Sequence, residues 1–218
     1  VAPTKNALVE PATPTGMDWA ALFDRAPTAD REAIETALAA TRADGEPAAA
    51  TADAEATQPT EPREPAPTRV VADADVLAAD LLGGGAARRA LTGLWLHPWM
   101  TLVASDPLVS TAETVIGSLA DEQLAADWRG LIEEWREPVV HPVGDHPALA
   151  SAYRGGAMHV LSFDAQLTDS GTAATLAGRF PVSVRSPAAF DQLFDPESLY
   201  ATIDAGAYPG PQRPPREG

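Results

Sequence analysis

The sequence predicts an α/β protein: a three-layer α/β/α arrangement around a central parallel sheet of four to five strands, with a small helical N-terminal extension. Three observations lead there. Short apolar runs alternate with segments of helical periodicity from Arg69 onward. Two of those runs, Arg69-Val70-Val71-Ala72-Asp73 and Val160-Leu161-Ser162-Phe163-Asp164, end in an acid, and ligands bind at the carboxyl ends of parallel strands. The first 68 residues have a different composition, with few large apolar side chains.

The elements follow in order. Apolar spacing predicts helices over about Met17 to Phe23 and Ala29 to Arg42, the second capped by Thr28. Residues 1–43 make a unit too small for a core of its own. Residues 44–68, rich in Ala, Pro, Glu and Thr, read as a disordered acidic linker. The main domain spans 69–205. It opens with a strand at 69–73 and a helix from Asp75 to Leu82, broken by Gly83-Gly84-Gly85. A helix over Ala86 to Leu96 and a strand over Met100 to Ala104 come next. Ser105 or Asp106 then caps a helix over 107–119, and Asp121 opens another reaching Arg136. Asp145 starts a helix that ends at Gly155-Gly156. Strands follow at Met158 to Ser162 and Pro181 to Val184, the second leading into helices at Ser186-Pro187 and Asp195-Pro196. Residues 206–218 read as a loose proline-rich tail.

Composition narrows the function. The chain has 218 residues, a net charge of −16, no cysteine and one lysine, Lys5. Disulfides, zinc-thiolate sites and thiol nucleophiles are excluded. No apolar run approaches the roughly 18 residues of a membrane span, and no secretory leader pattern opens the chain, so the expected compartment is the cytoplasm. So acidic and lysine-poor a surface suits concentrated salt, where repulsion is screened. It offers no basic stripe for nucleic acid, so any RNA must be held by metal ions and a few arginines, or with the help of a partner. The four histidines show no metal-ligand spacing, no nucleophile elbow occurs, and the glycine run lacks the Lys-Ser/Thr of a phosphate loop.

What remains is a set of acids in strand-end and helix-start settings. Asp73 ends the first strand. Asp75, two residues on, reads as a helix N-cap or an outer-shell ligand. Glu113 lies within the 107–119 helix, Asp145 starts a helix rich in small residues, and Asp164 ends the strand that contains Ser162. Carboxylates brought together repel unless a divalent cation neutralises them, and all-oxygen ligation suits Mg²⁺ or Mn²⁺.

Together these residues resemble the PIN domain family of metal-dependent nucleases, which includes toxin ribonucleases. Val70-Val71-Ala72-Asp73-Ala74-Asp75-Val76-Leu77 is similar to the family's opening strand and first acid. Asp145 with Ala150 and Ala152, then Gly156-Ala157 and Val160-Leu161-Ser162-Phe163-Asp164, is similar to its closing stretch. The acidity resembles a branch from salt-loving archaea. The resemblance implies a metal-dependent ribonuclease in which Asp73, Glu113, Asp145 and Asp164 hold one or two Mg²⁺ or Mn²⁺ ions, with Asp75 and Ser162 in support. It implies an RNA substrate, an antitoxin or other protein partner, and a homodimer. The alternative is an inactive PIN-like binding module acting through a protein partner.

Overall fold

A computed structural model of the chain describes residues 18–43, 58–169 and 181–217. Five parallel strands, β1 (Ala66–Ala72), β2 (Thr101–Ser105), β3 (Glu137–Val139), β4 (Ala157–Leu161) and β5 (Ser183–Arg185), form one sheet in the order β3-β2-β1-β4-β5. Val70, Val71 and Ala72 are buried without alternation, as a parallel strand covered on both faces requires. From β1 the chain builds outward through β2 and β3, then returns to place β4 on the other side of β1. The order therefore reverses between β1 and β4. Such a switch point, at the carboxyl ends of the strands, is where open α/β sheets place their ligands.

Helices flank the sheet, giving the expected three-layer α/β class. They are α3 (Ala74–Leu82), α4 (Gly85–Trp95), α5 (Asp106–Leu119), α6 (Glu122–Trp135), α7 (Pro147–Gly155), α8 (Ala165–Thr168), α9 (Pro187–Leu193) and α10 (Pro196–Ile203). The break between α3 and α4 uses Gly84 and Gly85, at φ 61° and 59°, a region that side chains with a Cβ resist. The small residues Ala148, Ser151 and Ala152 let α7 pack against β1, β2 and β4. Strand β3 was not expected. Its three residues, Glu-Pro-Val, are short and contain a proline, which sheets tolerate at an edge.

The N-terminal unit, α1 (Trp19–Arg25) and α2 (Arg31–Ala43), docks on this body. Trp19, Leu22, Ile34 and Leu38 join the same apolar core as the sheet. Each large aliphatic side chain so buried contributes about 1.5–3 kcal/mol, which a free two-helix unit could not gain. The cap of α2 is Asp30, whose Oδ1 accepts from Ala33 N at 2.8 Å, instead of Thr28.

Two segments differ from expectation. Of the expected disordered linker, 44–57 lies outside the described residues, whereas 58–68 is fixed along the domain. Thr60 N donates to Val140 O at 2.9 Å, Arg63 N to Arg154 O at 3.2 Å, and β1 already begins at Ala66. Backbone pairing supplies here what the side chains lack. The tail is not loose either. Gln212 N donates to Leu96 O at 2.9 Å and Trp95 Nε1 to Pro214 O at 2.9 Å, and Arg216 is buried. Among the described residues no helix is long and apolar enough to cross a membrane.

Candidate functional site

Helix α3 starts where β1 ends, and each of its nine residues is buried. Two of them are acids, Asp75 and Asp80. A buried carboxylate needs a partner of opposite charge or enough hydrogen bonds to replace water. Asp80 has one: the Arg216 guanidinium donates to both of its oxygens at 2.7 Å. Asp75 has no such cation. Its Oδ2 accepts from Phe163 N at 2.9 Å and lies 3.3 Å from Ser162 Oγ, while Oδ1 is buried with no hydrogen-bond partner.

Asp73 stands beside it. It caps α3, correcting the assignment of that role to Asp75, with Oδ1 accepting from Ala74 N at 2.8 Å. Its Oδ2 lies 3.1 Å from Ser162 Oγ. The two carboxylates are 2% and 4% exposed and share one serine hydroxyl across the β1–β4 switch point. That hydroxyl has one proton, so it satisfies one carboxylate at a time. Its oxygen accepts from Asp164 N at 3.0 Å. Burial first, and the neighbouring Asp73 charge second, push the Asp75 carboxyl up to about 7. The site thus favours a proton, or another cation, between Asp73 and Asp75.

The other expected residues are placed differently. Asp164 is half-buried at the end of β4 and caps α8, Oδ1 accepting from Gln166 N at 2.7 Å. Glu113 pairs with Arg129 at 3.1 Å, in a network where Arg129 also meets Asp106 and Glu133. Its charge is therefore answered by an arginine. Asp145 is exposed in the turn before α7; His146 holds the cap position there, so Asp145 does not start the helix as expected. Among the described residues no three His, Cys, Asp or Glu side chains gather into a group able to hold a metal ion. The four expected acids are not brought into one cluster; the close pair is Asp73 and Asp75.

Sequence reasoning undervalued Asp75. A signal was present: in Ala-Asp-Val-Leu-Ala-Ala-Asp-Leu-Leu only the two acids could face water, so a buried helix must bury both. The Arg216 partnership of Asp80 had no local signal.

Fold and site together define a parallel α/β protein with a buried acid pair at its switch point. The chain belongs to DUF7384, a family of unknown function, whose match spans residues 64–216. Helices α1 and α2 precede that span. Comparisons with curated proteins and with solved structures return no match.

Proposed function

We propose that the chain is a metal-dependent endoribonuclease that hydrolyses RNA phosphodiester bonds, with Asp73 and Asp75 as the carboxylates that hold Mg²⁺ or Mn²⁺. The observation that carries this reading is the contrast between the two acids of α3: Asp80 is neutralised by Arg216, whereas Asp75 keeps a buried oxygen without a partner beside a second carboxylate. A hard divalent cation suits that unpartnered Asp75 oxygen beside the Asp73 carboxylate, since Mg²⁺ is commonly held by one or two carboxylates plus waters and substrate phosphate. Such an ion supplies an activated water and stabilises charge on the phosphate. Ser162 orients the two carboxylates through its hydroxyl, and the main chain of Phe163 fixes Asp75. Asp164 borders the site through its N–H on Ser162. The resemblance to the PIN family supports the choice of RNA.

A second reading, an inactive PIN-like module acting through a protein partner, is favoured by the Glu113–Arg129 pair and the exposed Asp145, which leave the expected acid set incomplete. Cleavage of labelled single-stranded RNA in Mn²⁺ decides between them. The nuclease reading expects cleavage by the wild type and its loss in Asp73→Asn with folding retained. Equal activity in both, or none in either, would sink it.

A further inference from the structure

One cation reaches the acid site from outside the segment matched to the family. Arg31, the first residue of α2, donates from Nη2 to Phe163 O at 3.1 Å and lies over the Phe163 ring at 4.8 Å. Phe163 N, on the same residue, donates to Asp75 Oδ2 at 2.9 Å. The main chain of one residue thus links the arginine to the buried acid. Two other arginines near the carboxyl edge are committed to acids. Arg136 is buried and paired with the exposed Asp106 and Glu133, and Arg129 is shared by Asp106, Glu113 and Glu133. Arg185 turns back along its strand, Nε donating to Ser183 Oγ at 2.9 Å. The Arg31 side chain is 59% exposed, and its acidic partner among the described residues, Glu35 at 2.5 Å, is also exposed. An exposed pair of this kind is weak and readily exchanged for a stronger acceptor.

We infer that Arg31 is a phosphodiester-binding residue of the acid site, held over Phe163 by the docked N-terminal unit so that its guanidinium grips a phosphate oxygen of the RNA strand. This rests on the ribonuclease reading. A chain of net charge −16 with one lysine needs a cation at the place where a polyanion must come close. Arg31 supplies it with two anchors already set: the hydrogen bond to Phe163 O and the ring beneath. An arginine so preorganised loses less freedom on meeting phosphate than a free one. The N-terminal unit then has a purpose beyond packing, because its docking carries Arg31 to the site.

The test uses the full chain and Arg31→Gln, which keeps an amide able to reach Phe163 O but removes the charge, with Arg31→Lys as the charge-keeping control. Binding of a labelled oligouridylate is measured without divalent ion, and KM and kcat for its cleavage in Mn²⁺. The expected result for Arg31→Gln is about tenfold weaker affinity and an about tenfold higher KM, with partial rescue by Arg31→Lys, kcat within about threefold, and unchanged Mn²⁺ binding and Tm. Wild-type affinity in Arg31→Gln would overturn the inference and leave the metal site standing. Metal-free binding that depends on Arg31, in a chain that takes no Mn²⁺, would keep the arginine contact while the nuclease reading fails. A wild type that binds no RNA under either condition overturns both.

Discussion

Arg216 and Asp80 form a two-point ion pair, both N–O distances 2.7 Å, with neither side chain more than 1% exposed. The tail thereby closes the molecule. The guanidinium also lies over Trp19, Phe23 and Trp135 at 4.9, 5.3 and 5.4 Å, so the last residues hold α1 against α3 and α6.

Removing Arg216 leaves the buried Asp80 with no hydrogen-bonded cation, its remaining one being Arg88 at 3.9 Å. Arg216→Ala is expected to cost about 3–5 kcal/mol, and Arg216→Met with Asp80→Leu to recover most of it. Urea unfolding of the three proteins measures this. A loss under about 1 kcal/mol for the single change would contradict the buried pair.

Asp75 gives stability a dependence on pH. Its carboxyl is raised from an ordinary 3.8 to about 7. Between those values the folded chain holds a proton that the unfolded chain has released. The unfolded state binds fewer protons there, so stability falls as pH rises, by at most about 4 kcal/mol. Asp75→Asn, neutral throughout, is expected to remove this decline. Unfolding curves in chelator at about pH 5 and about pH 8 compare the two proteins within the transition and above it. Parallel pH dependence would place the titration elsewhere.

Glu113 answers Arg129 at the surface of α5 and α6, both side chains partly exposed. Glu113→Gln is expected to cost under about 1 kcal/mol and to leave Mn²⁺ affinity within about twofold. A loss of Mn²⁺ binding on that change would return Glu113 to the metal site.

The sequence carried much of this architecture because its signals were local. The continuous apolar run at Val70–Ala72 announced a strand buried on both faces, and the acid after it marked the carboxyl edge. Trp128 and Ile132 fell on the buried face of α6 as their spacing demands. What stayed hidden was long-range. Nothing near Asp80 points to Arg216, which lies 136 positions away. The segment 58–65 is polar and folds by lending backbone groups to Val140, just past β3, and to Arg154 of α7. A cap and a metal ligand read alike in sequence, so the cap of α3 fell to Asp73 instead of Asp75, and that of α7 to His146 instead of Asp145.

The acid pair bears most directly on function, and calorimetric titration with Mn²⁺ tests it. Roughly 1 M potassium chloride shortens the screening length to about 3 Å and suppresses loose ion condensation on an acidic surface. The wild type is expected to bind Mn²⁺ at a saturable site that disappears in Asp73→Asn combined with Asp75→Asn, while both proteins remain folded. Identical heats in the two proteins would contradict a metal site at the β1–β4 switch point.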